Sequence, residues 1–221
     1  MADIHLSFDN GPHAEGTPRV LDVLAAHALP ATFFALGREL ATPSGHALAR
    51  RIVDAGHRLG NHSYTHGTPL GRDPRPDAVA IELEATQRLL SSLDPRPPCF
   101  RPFGGGGELG PHLLSPAAVE WLVARKATCV LWNVVPEDWL NPDGWVEVAL
   151  RQLDTTAHAL VVLHDAVPEA TKRLDGFVRA ALDRGHRFTA AWPDDCLPIR
   201  DGDPHPGLSA FVASPDEFEE P

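Results

Sequence analysis

Residues 6–12 read LSFDNGP and place one acid and one amide at the end of an apolar run. A short apolar run of this kind is typical of a β-strand that is buried on both faces. The Gly-Pro pair that follows is a turn signal, so we expect the strand to end at Asp9 and Asn10. In α/β proteins the carboxyl ends of the strands carry the functional groups. The segment therefore predicts a parallel sheet and one position of its functional site.

Six further apolar runs are similar to the first, and most of them are followed by a helical pattern. The predicted strands are Asp3–Phe8, Ala31–Leu36, His57–His62, Cys99–Phe103, Thr128–Asn133, Leu160–His164 and Arg187–Trp192. The predicted helices are Thr17 to about Ala28, Ser44–Ala55, Asp77–Leu93 and Glu169–Arg184, with two more beginning at Ser115-Pro116 and Asn141-Pro142. This alternation predicts a parallel α/β fold, and both a barrel and a doubly wound open sheet fit it.

The composition argues against several classes of function. The 221 residues carry a formal net charge of -11 without a prominent run of Lys or Arg, which argues against binding to nucleic acid or to an anionic membrane surface. No stretch approaches the roughly 20 apolar residues of a membrane span. The first residues lack the basic and apolar regions of a secretory signal, so we expect a cytoplasmic protein. The three widely spaced cysteines predict neither a disulfide framework nor a cysteine zinc site.

Chemically capable residues lie at or after the ends of five predicted strands. The segments are Asp9-Asn10, His62 to His66, Arg101 to Gly104, Asp138-Trp139 and Leu163-His164. A parallel sheet would bring them to one rim although they are far apart in the chain. His62 and His66 are four residues apart, and on one helical turn both rings would face the same way and could hold one divalent ion. No Glu follows His62, so this pair is not the metalloprotease motif.

In order and spacing these five segments resemble the five motifs of polysaccharide deacetylases, over roughly residues 3–192. This family is also called the chitooligosaccharide deacetylase homology domain, or carbohydrate esterase family 4. The resemblance implies an α/β fold that is a distorted, incomplete (β/α) barrel with about seven parallel strands. It also implies a hydrolase of non-peptide C–N amide bonds that deacetylates an N-acetylated sugar or oligosaccharide.

The resemblance also implies a role for each motif residue. Asp9 matches the base that activates water, and His164 matches the acid that protonates the leaving amine. Arg101 matches the residue that orients the base, and Asp138 the acid that tunes the catalytic histidine. Asn10, His62 and His66 match the ligands of a divalent metal, for which zinc is the expected ion. The residues expected to contact the small-molecule or oligosaccharide substrate are Phe103, Gly104, Trp139 and Leu163, the last as an apolar wall under the acyl group.

The extent of the resemblance and the composition of the last residues predict how the chain is divided. We expect a deacetylase-like catalytic domain over residues 1–200 and an acidic, Pro-rich C-terminal tail over residues 201–221. A composition of that kind suits a tail or a loosely docked strap better than a packed core. The sequence makes no prediction of the oligomeric state.

The sequence departs from the family pattern in three ways. Asn10 stands where the family has a metal-binding Asp, the third motif is one residue short, and Val135 stands where an Asp is common. Losing a negative ligand is expected to weaken zinc binding. Two alternatives therefore stay open. One is a metal-independent amidase or cyclic-imide hydrolase on the same fold, acting on a small molecule. The other is a non-catalytic, carbohydrate-binding pseudoenzyme.

Overall fold

The structure is a computed structural model that describes residues 1–214. The strands are β1 Asp3–Asp9, β2 Ala31–Ala35, β3 Arg58–Asn61, β4 Cys99–Phe100, β5 Thr128–Cys129, β6 His158–His164, β7 Arg187–Phe188, β8 Ile199–Arg200 and β9 Asp203–Pro204. The α-helices are α1 Gly16–Ala26, α2 Gly37–Leu40, α3 Pro43–Asp54, α4 Ala85–Ser91, α5 Pro116–Ala124, α6 Trp145–Leu153, α7 Pro168–Thr171 and α8 Leu174–Asp183. Short 3₁₀ turns lie at Leu70–Arg72, Pro111–Leu113, Asp194–Cys196 and Leu208–Phe211.

The first seven strands form a parallel, curled sheet. Its order is β6-β1-β2-β3-β4-β5, and β7 pairs with the start of β1. The chain then adds β8 antiparallel to β5 and β9 antiparallel to β8. A parallel bridge between Val134 and Val161 connects the segment after β5 back to β6. The predicted distorted, incomplete barrel of about seven parallel strands is thus confirmed.

The two faces of β1 have different environments. Ile4, Leu6 and Phe8 belong to the larger apolar core, which also holds side chains of α1, α6 and α8. The alternate positions are polar, and Ser7 and Asp9 both contact Arg101 inside the curled sheet. Successive side chains of a strand point to opposite faces, so one strand supplies both the core and the polar interior.

Strands β4 and β5 end earlier than predicted, since Pro102 has no N–H to continue the ladder and the Arg101 side chain takes the carbonyls that follow. Beyond β4, the Arg101 guanidinium donates to the carbonyls of Val130 and Leu131, each at 3.3 Å. The Leu131 N–H pairs instead with the Cys196 carbonyl at 2.8 Å. The predicted extensions to Phe103 and Asn133 therefore leave the regular ladder, although Val130 N–H still donates to the Phe100 carbonyl.

Several helix boundaries differ from the prediction for local reasons. Ser115 caps α5 as expected, accepting from the Ala118 N–H at 3.2 Å. Asn141 instead caps a turn through the Gly144 N–H, and α6 begins only at Trp145. Thr17 lies inside α1, and its hydroxyl donates to the carboxyl of Asp165.

Two predicted long helices are interrupted. The helix predicted over Asp77–Leu93 consists of a π-helical stretch, Val79–Glu84, followed by α4. The helix predicted over Glu169–Arg184 is divided into α7 and α8. Gly185 ends α8 with a φ of 79°, as expected for a glycine after a helix.

The last described residues pack against the barrel. Ala213 is buried, and its N–H donates to the Leu114 carbonyl at 2.9 Å. The rest of the predicted tail, residues 215–221, lies outside the described residues, and the domain boundary at residue 200 stays a prediction. Among residues 1–214, no helix has the length and apolar character needed to cross a membrane.

Candidate active site

The five predicted motif segments meet at the carboxyl ends of the parallel strands. They surround a cavity of about 240 Å³. Its lining residues are Asp9, Asn10, His62, His66, Pro102, Phe103, Gly104, Gly105, Gly106, Gly107, Trp132, Val135, Trp139, Val162, His164 and Val167. The structure therefore brings Asp9, Asn10, His62, His66 and His164 to one cavity, and their chemical roles stay predictions.

Asp9 is a buried carboxylate held by Arg101. Arg101 Nη1 donates to Asp9 Oδ1 at 2.8 Å and to Ser7 Oγ at 2.7 Å. Arg101 is fully buried, with its guanidinium carbon 4.1 Å from the centre of the Phe34 ring. Burial alone would raise the pKa of Asp9, but the charge and hydrogen bond of Arg101, together with the smaller effects of His62 and His164, outweigh burial and lower that pKa. Asp9 is thus ionised at neutral pH, and its other oxygen, Oδ2, is left to face His62.

His164 forms a second buried pair with Asp138. The His164 Nδ1 lies 2.7 Å from Asp138 Oδ1, and the His164 backbone N–H donates to Asp138 Oδ2 at 2.8 Å. Burial opposes the imidazolium, but the hydrogen bond and charge of Asp138 raise the pKa of His164 above its ordinary value. Nδ1 donates to the carboxylate, so Nε2 is the nitrogen left to exchange a proton in the cavity.

His62 presents an unprotonated nitrogen to the cavity. Its Nδ1 lies 2.9 Å from the Arg101 carbonyl, which can only accept, so Nδ1 carries the proton. Burial lowers the pKa of His62 despite the nearby Asp9 charge, so the ring is neutral. Its Nε2 is 3.7 Å from Asp9 Oδ2. Two acceptor atoms therefore face each other, an arrangement that a bound cation or a water would relieve.

His66 lies beside His62 and is also neutral. The two ring centres are 5.0 Å apart, and His66 stacks on Phe103 with ring centres 3.8 Å apart. Burial and the neighbouring His62 lower the pKa of His66 to about 3. Both imidazoles are thus available as ligands at neutral pH.

Asn10 offers the third donor of the predicted metal site. Its Oδ1 is buried and has no hydrogen-bond partner within the described residues. Its backbone has a φ of 73°, a left-handed conformation that Asn tolerates better than most residues. Ser63 and His66 also have positive φ values, 69° and 55°. Strained backbone of this kind clusters at functional sites.

The donor set fits a divalent metal through two neutral imidazoles and one unsatisfied carboxamide oxygen. Within residues 1–214, no group of three or more His, Cys, Asp or Glu side chains is arranged to hold a metal ion. The predicted set contains only two residues of those types, because Asn10 replaces an acid. A site with one fewer negative ligand binds zinc more weakly.

Phe103, Gly104 and Trp139 line the cavity as predicted, whereas Leu163 does not. In β6, Val162 and His164 face the cavity, and Leu163 between them points into the core behind the sheet. The alternation of side chains along a strand explains this correction. The same alternation in the sequence of β6 could have identified Val162 as the wall residue.

A glycine-rich loop, residues 104–107, covers one side of the cavity. Trp132 Nε1 donates to the Gly107 carbonyl at 2.7 Å, so the indole both lines the cavity and anchors the loop. A Cβ on Gly104 would lie 2.7 Å from the Trp132 ring, too close for any other residue. Trp132 and Val167 were not predicted as site residues, since nothing in their local sequence distinguishes them from core residues.

Comparison with known proteins agrees with this geometry. A family model described as polysaccharide deacetylase matches residues 2–108. The chain is 34% identical over 171 residues to a chitooligosaccharide deacetylase of Rhizobium leguminosarum bv. phaseoli, covering 75% of this chain and 69% of the relative. It is 36% identical over 179 residues to a chitooligosaccharide deacetylase of Bradyrhizobium sp. (strain ANU 289), covering 77% and 74%.

Among solved structures, the chain is similar to BA3943, described as a CE4 family pseudoenzyme from Bacillus anthracis. The wild-type structure superposes with a TM-score of 0.69 at 25% identity, covering 84% of this chain and 62% of BA3943. A mutant of BA3943 described as having restored enzymatic activity gives the same TM-score at 26% identity, covering 84% and 64%.

Proposed function

The chain belongs to the polysaccharide deacetylase family, and on that premise we propose that it hydrolyses the amide of an N-acetylated sugar or oligosaccharide. One observation carries this proposal. Two buried pairs, Asp9 with Arg101 and His164 with Asp138, border the same cavity with opposite protonation preferences. Groups whose environments push their pKa values apart are the acid and the base of hydrolytic sites.

Asp9 is the proposed general base. Arg101 keeps it ionised, and Asp9 Oδ2 accepts a proton from a water molecule in the cavity. The oxygen of that water then attacks the amide carbonyl carbon and forms a tetrahedral intermediate. Arg101 itself has no exposed surface, so it acts by orienting Asp9 and not by touching the substrate.

His164 is the proposed general acid. Its raised pKa favours the imidazolium, which donates the Nε2 proton to the amide nitrogen as the C–N bond breaks. The products are acetate and a free amine. Asp138 orients the His164 ring and stabilises its positive charge. Trp139 lies edge-on to His164, with ring centres 5.0 Å apart, and limits the access of solvent to that ring.

Asn10, His62 and His66 would hold the divalent metal, which we propose to be zinc. When bound, the metal would polarise the acyl carbonyl and lower the pKa of the attacking water. His62 is kept in the tautomer that leaves Nε2 free by the Arg101 carbonyl. The unsatisfied Asn10 Oδ1 and the facing pair of Asp9 and His62 acceptors support the assignment.

The proposed substrate lies between apolar walls. Phe103, Gly104 and Trp139 are the predicted substrate contacts, and Trp132 and Val135 add to the same wall. Flat aromatic faces suit the apolar face of a sugar ring, and the small volume of the cavity suits one acetamido group. The chitooligosaccharide deacetylases among the relatives support an oligosaccharide substrate.

One observation favours a second candidate, a non-catalytic pseudoenzyme. Asn10 removes a negative ligand from the metal half of the site, and BA3943 is a pseudoenzyme with a similar fold. The buried acid–base pairs argue for the hydrolase, because a decayed site has no need to keep Asp9 and Arg101 buried together.

Acetate release from N-acetylglucosamine oligomers, together with chromatographic detection of the hydrolysis products of small amides and cyclic imides, tests the proposal. Protein purified without added metal is assayed with zinc or with excess chelator. We expect acetate from the oligomers, at a rate that rises with zinc. Full activity in chelator would establish the metal-independent hydrolase, and no turnover of any compound under either condition would establish the pseudoenzyme.

A further inference from the structure

The loop from His62 to His66, which carries both proposed metal-binding histidines, is held by a buried acid outside the cavity. Glu82 is 1% exposed. Its Oε2 accepts from the backbone N–H groups of Tyr64 at 3.0 Å and Thr65 at 2.8 Å. Its Oε1 accepts from the Thr65 hydroxyl at 2.8 Å.

This contact completes the hydrogen bonding of the loop. The Ser63 N–H donates to Asn61 Oδ1 at 3.0 Å, and the His66 N–H donates to Ser63 Oγ at 3.1 Å. The carbonyls of Ser63 and Tyr64 accept from the first two N–H groups of α2. Every backbone N–H from Ser63 to His66 is therefore satisfied, two of them by Glu82, and the loop is held in a conformation that contains two left-handed residues.

Glu82 is ionised although it is buried. Burial alone would raise its pKa, but the hydrogen bonds from Thr65, Arg75 and Tyr64 outweigh burial and lower it. Arg75 Nη2 lies 2.8 Å from Glu82 Oε1 and 2.6 Å from Asp73 Oδ2. A buried carboxylate that accepts several N–H groups and one guanidinium holds its partners more strongly than a neutral acceptor would.

The helix that carries Glu82 is irregular around that residue. Glu82 lies in the π-helical stretch Val79–Glu84, where the hydrogen bonds span one residue more than in an α-helix. Two side chains donate to carbonyls of this stretch, Asn61 Nδ2 to the Leu83 carbonyl at 2.9 Å and Thr86 Oγ1 to the Glu82 carbonyl at 3.1 Å. Asn61 thus connects the π-helical stretch to the loop, because its Oδ1 also accepts from Ser63.

From these contacts we propose that Glu82 is a positioning residue for His62 and His66, fixing the loop in the geometry that binds the metal. The inference rests on the proposed metal-binding role of the two histidines. Groups that orient metal ligands typically contribute 10- to 100-fold to metal affinity. Glu82 would act through the loop backbone, whereas the usual partner of a metal-binding histidine contacts its ring.

Zinc titration calorimetry on Glu82→Ala, Glu82→Gln and wild type tests the proposal. We expect Glu82→Ala to weaken zinc binding about 10- to 100-fold. Glu82→Gln keeps one acceptor oxygen and should lose less. Glu84→Ala is the matched control, because Glu84 lies two residues away and contacts Arg125 and Arg88 instead of the loop; its zinc affinity should equal that of wild type. Wild-type zinc affinity in a folded Glu82→Ala protein would overturn the proposal.

Amide hydrogen exchange of residues 62–66 separates this inference from the metal assignment. Without metal, the loop amides of Glu82→Ala should exchange about tenfold or more faster than those of wild type, and the amides of β6 should exchange at the wild-type rate. The loop exchange rate of Glu82→Gln should lie between those of Glu82→Ala and wild type. If wild type binds no zinc, the metal part of the proposed function fails, and this exchange pattern then decides the role of Glu82. Unchanged exchange in the loop of both variants would overturn it.

Discussion

At the scale of single residues, we propose that Asn10 decides how the site uses a metal. It has the left-handed backbone of the first motif and a buried side-chain oxygen that lacks a partner among the described residues. A neutral carboxamide can contribute an oxygen to a cation but no charge. The proposed acid–base half of the site is complete, and the proposed metal half is one negative charge short.

Restoring that charge is therefore expected to strengthen the metal site. Asn10→Asp should raise zinc affinity about tenfold or more, because the added carboxylate attracts a divalent cation in a partly buried site. Acetate release at low zinc should rise with it. Zinc titration with parallel rate measurements checks both, with Asn10→Ala as the control that removes the oxygen. Unchanged zinc affinity in Asn10→Asp would show that this side chain is not a ligand.

The His164–Asp138 pair gives a pH-dependent prediction. With His164 as the proposed general acid, the rate requires its imidazolium and is expected to fall as pH rises through the pKa of His164. Asp138 raises that pKa against the effect of burial, so Asp138→Asn should move the alkaline limb of the kcat/KM profile to lower pH. At pH 7.5 we expect a loss of roughly 100-fold or more. An alkaline limb that stays at the wild-type pH would contradict the assignment of His164 as the acid.

At the scale of secondary-structure elements, the sequence predicted what depends on local pattern. The strand pattern and the Ser115 cap followed from residue types and spacing. The polar interior of β1 could also have been predicted, since the alternation of DIHLSFD separates apolar from polar positions by a period of two. The prediction that this strand is buried on both faces is confirmed, but it did not distinguish the polar face from the apolar one.

Other elements depend on partners far along the chain, which no local pattern contains. Beyond the early end of β5, the guanidinium of Arg101 takes the carbonyls of Val130 and Leu131. The π-helical stretch around Glu82 is stabilised by Asn61, 22 residues before Leu83. The sequence pattern of a helix is the same whether or not such distant side chains form hydrogen bonds with its backbone.

At the scale of the whole molecule, one buried acid links the stability of the fold to pH. Asp165 is fully buried between the first motif and α1, where a Cβ on Gly11 would meet its carboxyl group. Its Oδ1 has no hydrogen-bond partner within residues 1–214. Burial raises the pKa of Asp165 to about 7, although the hydrogen bond from Thr17 opposes the rise.

The raised pKa predicts a loss of stability as pH rises. Below the ordinary pKa of an aspartic acid, both folded and unfolded states hold the proton, so folding is not penalised. Between about pH 4 and pH 7 only the folded state keeps it, so the free energy of unfolding declines across that window. Asp165→Asn mimics the protonated acid and should be more stable than wild type at pH 8 by on the order of 2 kcal/mol, with a smaller difference at pH 5.

Urea unfolding at pH 5 and pH 8 measures this difference, with Asp22→Asn on the exposed side of α1 as the control. A difference between Asp165→Asn and wild type that is the same at both pH values would contradict a raised pKa for Asp165.

We propose above all that this molecule is a hydrolase with Asp9 as its base. The most direct measurement is the rate of acetate release from N-acetylglucosamine oligomers by wild type and Asp9→Asn at the same zinc concentration, with circular dichroism to verify that the variant is folded. We predict measurable turnover by wild type and a rate about 1000-fold lower for Asp9→Asn. Equal rates for the two folded proteins, or no turnover by wild type, would contradict the claim.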